Sequence, residues 1–177
     1  MEVELLSLQG VKKIRPRIFQ DERGFFFESY RQPLYADHDI QVLFVQDNVS
    51  FSQKHTVRGL HFQKKPGQHK LISCLMGQIW DVFVDIRKDS PTFGQWQAAI
   101  LDEIHREQLF IPIGFAHGFC VLSETALIQY KVSAIYDPEN EAAIRWDDPQ
   151  IGIAWPTQTP LLSLRDQNAP LLKDIML

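Results

Sequence analysis

The sequence of 177 residues predicts an all-β sandwich or barrel with short helices at its periphery. Short apolar runs follow one another at close spacing, and turns containing Gly or Pro separate them. Helical periodicity is almost absent, and twelve Phe with four Trp are typical of a β-rich core. Because no repeat, linker or low-complexity segment divides the chain, residues 1–177 are expected to form one domain.

The first elements are rich in aromatic residues. Residues 11–19 alternate loosely and predict a strand, which Pro16 places at a sheet edge or at a bulge. A turn at residues 21–24 leads into a second strand at residues 25–30. That strand is too aromatic for a solvated edge, so we expect it to pack on the core or on a partner subunit.

The rest of the chain continues the same pattern. A short helical turn is expected within residues 31–39, an irregular segment around residues 146–156, and a weakly helical end near residues 171–176. Further strands are predicted at residues 42–50, 58–63, 70–76, 78–86, 96–101, 108–111, 115–122 and 126–132.

Composition excludes some classes of function. The net charge is −4 and no basic run is present, which argues against a general nucleic-acid binder. Cys74 and Cys120 each lie in an apolar run, so buried reduced thiols are expected, although a disulfide stays open. The first residues are acidic, and no apolar stretch reaches the length of a membrane span. We therefore expect a cytoplasmic protein that does not act on membranes.

The most informative stretch is Arg58-Gly59-Leu60-His61-Phe62-Gln63. It places a histidine between an arginine and a glutamine on a predicted strand, and after a tight loop Lys70 opens the next strand. Arg58, His61 and Lys70 would suit an anionic substrate, a proton-transfer base and a stabiliser of developing negative charge. A hairpin with polar residues on its wet face is the alternative.

A second polar cluster follows Pro112, where Pro-x-Gly-x-x-His delivers His117 to the start of a strand. This resembles the second motif of the cupins, which are small jelly-roll barrels. The place of the first cupin motif holds His61 and Gln63, with no glutamate before Lys70, so two metal ligands are missing. We therefore expect a cupin-type jelly roll with no metal, and a hydrogen-bonded interior histidine remains the alternative for His117.

Over nearly its full length the chain resembles the dTDP-4-dehydrorhamnose 3,5-epimerase family. The matching motifs occur in the expected order: Asp21-Glu22-Arg23-Gly24, Val45-Gln46-Asp47-Asn48, Arg58-Gly59-Leu60-His61, Lys70-Leu71, Asp81 to Arg87, Pro112 to Phe119, Tyr130-Lys131, Trp146-Asp147-Asp148-Pro149 and Leu162 to Asp166. The resemblance implies inversion of C3 and C5 of dTDP-4-dehydro-6-deoxy-D-glucose to give dTDP-4-dehydro-L-rhamnose, without a cofactor.

The resemblance also implies catalytic roles. His61 would be the base, Asp166 its dyad partner, Lys70 the stabiliser of the enolate and Tyr130 the acid. Without the family, Asp166 would be taken for a surface aspartate and Tyr130 for a strand tyrosine that packs its ring.

Substrate binding would be spread more widely. A homodimer that exchanges N-terminal strands is implied, in which Arg23, Phe26 and Glu28 come from the neighbouring subunit and Phe26 stacks on thymine. Tyr136 is a second candidate for stacking, and Arg165 stands where other members often have a lysine. The remaining binding residues would be Gln46, Asn48, Arg58, His117, Glu141 and Arg165. The loop between His61 and Lys70 is short and would place Lys64, Lys65 and His69 near the site mouth.

Three other functions stay open at this point. A related enzyme could invert a single carbon, because such relatives share the fold and the His–Asp–Tyr set. A cupin ketoisomerase or metal-dependent oxygenase is a second class, which the missing ligands disfavour. The third is a sugar-nucleotide-binding protein without catalysis, which the complete catalytic set disfavours.

Overall fold

Two antiparallel sheets face each other in the computed structural model, which describes residues 1–176. The six-stranded sheet has the order β1-β2-β10-β7-β12-β5, and the five-stranded sheet has the order β13-β6-β11-β8-β9. The strands are β1 Glu2–Leu5, β2 Lys12–Arg15, β3 Ile18–Asp21, β4 Gly24–Phe27, β5 Gln46–Gln53, β6 Val57–Gln63, β7 Lys70–Met76, β8 Gln78–Asp85, β9 Trp96–Asp102, β10 Gln108–Ile111, β11 Phe115–Val121, β12 Thr125–Val132 and β13 Glu141–Ala143. The all-β jelly-roll prediction is confirmed.

Within residues 1–176, helical structure is confined to three short pieces. They are α1 Gln32–Ala36, α2 Leu164–Gln167 and a 3₁₀ turn at Leu172–Asp174. The predicted helical turn within residues 31–39 and the helical character near residues 171–176 are thereby confirmed.

An apolar core fills one end of the space between the sheets. Ile72, Phe83 and Phe119 belong to it, and they come from β7, β8 and β11. Alternation along each strand sends every second side chain into this layer. Toward the other end the inward-facing residues become polar, and Lys70 on β7 and Tyr130 on β12 are examples. These side chains line a cavity between the two sheets.

Part of the outer face of each sheet is covered. α1 packs Tyr35 against Leu71 and Phe110 on the six-stranded sheet. The irregular segment after β13 packs Ile144 and Ile151 on the five-stranded sheet. Strands buried on both faces read as continuous apolar runs, which explains the pattern of β8 and β11.

Several predicted boundaries were wrong. The strand expected at residues 11–19 is broken at Pro16, which cannot donate a ladder hydrogen bond, into β2 and β3. The strand expected at residues 25–30 ends at Phe27, and the one expected at 42–50 runs over Gln46–Gln53. β1, β13 and α2 were not predicted; all three are four residues or shorter, too short for a clear periodic signal.

The expectation of buried reduced thiols is met. Cys74 and Cys120 are buried free thiols. No helix in this part of the chain is long and apolar enough to cross a membrane. The single-domain prediction stays untested, and its last residue, 177, lies outside the described part.

Candidate active site

A cavity of about 360 Å³ opens between the two sheets at the polar end of the sandwich. Its wall is formed mainly by side chains of β5, β6, β11 and β12, together with Lys70 of β7. The predicted site residues that line it are Gln46, Asn48, Arg58, His61, Lys70, His117, Tyr130 and Glu141.

His61 lies at the cavity wall and is paired with Asp166. The Nε2 atom of His61 is 2.6 Å from Oδ1 of Asp166. Asp166 is buried in α2, which begins where Ser163 caps the backbone amide of Asp166 at 3.1 Å. Because Asp166 contacts Nε2, the other ring nitrogen of His61, Nδ1, is available to a different partner.

The Asp166 carboxyl is kept ionised. Burial alone would raise its pKa, but contacts with the His61 ring, the Ser163 hydroxyl and the Gly59 backbone amide together lower the pKa below its usual value. An ionised carboxylate beside Nε2 orients the ring and can stabilise the imidazolium that forms when the ring accepts a proton.

Lys70 brings a buried positive charge to the same cavity. Its ammonium donates to the backbone carbonyl of His61 at 3.2 Å. Burial lowers the pKa of Lys70 to about 8, although Glu141 and Asp81 act in the opposite direction. The ammonium form therefore predominates at neutral pH and can stabilise a developing negative charge.

His117 forms a second, deeper pair with Asp81. Its Nε2 atom is 2.9 Å from Oδ2 of Asp81, and both side chains are buried. Burial lowers the pKa of His117 and raises the pKa of Asp81, against their mutual attraction. The hydrogen-bonded interior histidine expected as one alternative is therefore present, and the same residue also lines the cavity.

Two glycines let the strands that carry these histidines approach closely. Gly59 on β6 has φ +124°, and a Cβ atom there would lie 2.6 Å from Cα of Gly118 on β11. A Cβ atom on Gly118 would in turn lie 2.7 Å from the carbonyl oxygen of Arg58. The ladder shifts register at this point, while His61 and His117 remain direct partners across it.

Tyr130 lies on β12 between the partners Asn48 and Ile72, and it lines the cavity. Its ring packs against the apolar core. Burial raises the pKa of its phenol, and nearby Glu141 raises it further. The phenol is therefore protonated at neutral pH and available as a proton donor.

Polar side chains at the cavity mouth are joined in a chain of hydrogen bonds. Gln46 accepts from the backbone amide of Tyr136 at 2.9 Å and donates to Asn48 at 2.8 Å. The Tyr136 hydroxyl donates to Glu141 at 2.9 Å, and Arg165 donates to the same carboxylate. This chain of bonds fixes a tyrosine ring beside the opening.

Arg165 and Asp166 line an adjoining cavity of about 490 Å³ that shares Arg58 and His61 with the first. Arg58 is exposed, and its Nε atom donates to the Ser52 hydroxyl at 3.0 Å. The two cavities therefore meet at the side chains of Arg58 and His61.

Three predicted binding residues lie away from the cavity of their own chain. Arg23 pairs with Asp21 at 2.6 Å, Phe26 is exposed, and Glu28 pairs with Arg31 at 3.3 Å. They belong to the hairpin β3–β4 and the segment that follows it. Their assignment to a neighbouring subunit's site stays a prediction.

The residues before Lys70 lie next to the first cavity, and their expected position near its mouth stays a prediction. Lys64 and Lys65 line a second cavity, which shares Gln68 and Lys70 with the first, and the His69 ring stacks on Phe110 at a centroid distance of 5.7 Å. Lys64, Lys65 and His69 are outside the lining of the first cavity, whereas Lys70, the first residue of β7, belongs to it.

The donor set does not suit a metal ion. Within residues 1–176 no group of three or more His, Cys, Asp or Glu side chains is arranged to hold one. Gln63 occupies a place where metal-binding cupins have a second histidine, and the Lys70 ammonium would repel a dication.

Asp81 is the site residue to which sequence reasoning gave no role. The signal was present: an aspartate among apolar residues of a buried strand needs a partner. Ser163 and Asp166 likewise form an S-x-x-D pattern that predicts a helix start, and this pattern would have located α2.

The jelly-roll fold and this set of cavity side chains define the class of protein, which is an epimerase of the cupin type. The sequence profile described as dTDP-4-dehydrorhamnose 3,5-epimerase matches residues 5–174. A protein of that name from Salmonella typhimurium is 51% identical over 97% of this chain and 95% of its own length. The chain belongs to the dTDP-4-dehydrorhamnose 3,5-epimerase family and is an isomerase.

A solved structure and a further sequence relative extend the comparison. A dTDP-6-deoxy-D-glucose-3,5-epimerase from Legionella pneumophila, in complex with dTDP-4-keto-L-rhamnose, has a TM-score of 0.96 and 46% identity, covering 99% of this chain and 94% of its own. A dTDP-4-dehydrorhamnose 3-epimerase from Streptomyces niveus is 40% identical over 98% of this chain and 85% of its own length.

Proposed function

We propose that the chain inverts C3 and C5 of dTDP-4-dehydro-6-deoxy-D-glucose, with His61 as the base and Tyr130 as the acid. The observation that carries this proposal is the 2.6 Å contact between His61 and Asp166 at the wall of a cavity that Lys70 and Tyr130 also line. These are the groups that proton removal beside a ketone requires.

The chemistry follows from the acidity of the carbons next to the C4 ketone. His61 takes a proton from one of them, and Asp166 stabilises the imidazolium that forms. The electron pair moves onto the ketone oxygen to give an enolate, which the Lys70 ammonium stabilises by about 3–4 kcal/mol. Tyr130 then returns a proton to the opposite face of the carbon, which inverts it.

The nucleotide would lie at the mouth of the cavity. Arg58 and Arg165 supply positive charge for the diphosphate, and the Tyr136 ring offers a stacking surface. The Phe26 side chain is exposed on a hairpin that projects from its own sheets, which supports its use by a second subunit. We propose a homodimer in which Arg23, Phe26 and Glu28 complete the neighbour's site, and an enzyme that works in the cytoplasm.

Solvent exchange tests the proposal. Incubation with dTDP-4-dehydro-6-deoxy-D-glucose in D₂O should place deuterium at both C3 and C5, as NMR spectroscopy of the product would show. Label at C3 alone would instead assign the single-carbon reaction, which the 3-epimerase from Streptomyces niveus makes the second candidate. Binding of the nucleotide without any exchange would contradict catalysis.

Tyr130→Phe separates the acid from the base. Inversion should slow by about 10²–10⁴-fold while deuterium exchange continues at a higher relative rate, because His61 still removes the proton. Equal loss of exchange and inversion would contradict the assignment of Tyr130 as the acid.

A further inference from the structure

The hairpin β3–β4 forms a two-stranded sheet of its own, and within residues 1–176 it pairs with neither large sheet. An isolated two-stranded hairpin is only marginally stable in water. Phe19, Phe25 and Phe26 on this hairpin are all about half exposed or more. Within one chain, contacts other than strand pairing must therefore set its direction.

The segment Arg106–Gln108 holds the chain on both sides of this hairpin. The Glu107 carboxylate accepts from Arg15 at 2.7 Å, just before the hairpin. The Gln108 amide donates to the carbonyl of Ser29 at 2.8 Å, just after it. Both side chains are buried, so the base of the hairpin is fixed.

Arg106 reaches the hairpin itself. Its guanidinium carbon lies 3.5 Å from the ring centre of Phe25 and 5.8 Å from that of Phe27. The Arg106 backbone is held by a bond from its amide to the carbonyl of Asp102 at 3.1 Å. A cation over an aromatic face is attractive, so Arg106 joins the hairpin to the turn between β9 and β10.

Alternation along β4 divides the hairpin into two faces. Phe25 and Phe27 share the face that Arg106 covers, and Phe26 points to the opposite face beside Phe19, at 6.4 Å between ring centres. Arg106 therefore occupies the side of the hairpin that is not offered to a ligand.

We infer that Arg106 is a positioning residue that fixes the direction of the hairpin and so presents Phe26 to a nucleotide base bound in the partner subunit. This inference rests on the proposed function. Without Arg106 the hairpin would sample more directions, and its ordering would oppose substrate binding. The base is remote from the reacting carbons, so KM should change more than kcat.

Arg106→Gln tests the inference in the full-length protein. KM for the dTDP-sugar should rise about three- to tenfold with kcat within about twofold, and Arg106→Lys should recover part of the loss because an ammonium also binds aromatic faces. Arg145→Gln is the matched control, since Arg145 pairs with Asp147 and lies outside the hairpin and the cavity lining. It should leave KM unchanged.

A double variant locates the effect. Arg106→Gln combined with Phe25→Leu should be no worse than Arg106→Gln alone, because both remove the same contact. An unchanged KM in Arg106→Gln, additive losses in the double variant, or a fall in kcat as large as the rise in KM would each overturn the inference.

Phe26→Ala distinguishes this inference from the proposed function. A raised KM in Phe26→Ala with an unchanged KM in Arg106→Gln would overturn the role of Arg106 alone. An unchanged KM in Phe26→Ala would overturn both the stacking of Phe26 and the role of Arg106, while the D₂O exchange would still test the chemistry separately.

Discussion

Two histidine–aspartate pairs stand side by side in this protein, since His61 and His117 are direct partners across β6 and β11. They differ in burial: the side chains of His61 and Asp166 are 28% and 3% exposed, and those of His117 and Asp81 are 10% and 0% exposed. The same two residue types therefore occupy one accessible and one enclosed position.

The pKa values of the two carboxyls move in opposite directions. Burial opposes ionisation of both, but the contacts of Asp166 outweigh burial and lower its pKa, whereas burial prevails at Asp81 and raises its pKa. An accessible imidazole beside an ionised carboxylate can serve as a base. Two pairs of the same composition therefore differ in their access to the cavity and in the ionisation of their carboxyls, and both differences come from their positions in the fold.

Replacing the aspartate of each pair by asparagine should give the largest difference in kcat between the two pairs. Asp166→Asn should lower kcat by about 10²–10⁴-fold, because His61 loses the charge that stabilises its imidazolium. Asp81→Asn should cost about 1–3 kcal/mol of stability and less activity, because it disturbs a buried hydrogen bond. Steady-state kinetics and urea unfolding measure these effects, and a larger loss of kcat in Asp81→Asn would refute the distinction.

Lys70 lines the same cavity as the two histidines, and its replacement should affect activity and stability in opposite directions. Lys70→Met should lower kcat by about 10²–10³-fold, since the enolate loses its cation. The pKa of Lys70 falls from 10.5 to about 8, so its charge at pH 7 costs folding about 3 kcal/mol. Removing it should raise Tm by several degrees.

The control for that variant is Lys54→Met, which removes an exposed lysine paired with Glu124. Differential scanning calorimetry of the three proteins gives the comparison. A lower Tm in Lys70→Met than in Lys54→Met would show that the buried ammonium stabilises the fold.

The lowered pKa of Lys70 also predicts that kcat and stability change with pH, by less than in the variants above. Above pH 8 the folded protein loses the Lys70 charge, so kcat should fall as pH rises through that value. Between pH 8 and 10.5 the unfolded chain still binds the proton that the folded chain has released, so this group adds stability as pH rises. The stability advantage of Lys70→Met over the wild type should therefore shrink across this range.

Kinetics from pH 6 to 10 and urea unfolding at pH 7, 9 and 10 check both trends. A kcat that stays level beyond pH 9.5, or a stability difference that does not change with pH, would argue that Lys70 keeps its ordinary pKa.

Much of the barrel could be predicted because its strands are long enough to show their period. Strands such as β7 and β8 carry apolar runs between clear turns, and their predicted bounds agree with the structure to within one residue. From the motif around His61 we also predicted that Lys70 lies near His61 on the next strand, and both side chains line the cavity.

The remainder depends on contacts that are distant in sequence. The pairing of His61 with Asp166 spans 105 residues, and only the family resemblance suggested it. The pairing of His117 with Asp81 was missed, although both residues stood in apolar runs. The bounds of β3 and β4 were predicted incorrectly, because a two-stranded sheet that packs on no core gives only a weak hydrophobic pattern in the sequence.

The assignment of the accessible pair as the base is tested most directly by deuterium incorporation at C3 in D₂O, measured by NMR spectroscopy for His61→Asn beside His117→Asn. We predict that His117→Asn continues to incorporate deuterium and that His61→Asn does not. Incorporation that persists in His61→Asn and disappears in His117→Asn would contradict the account.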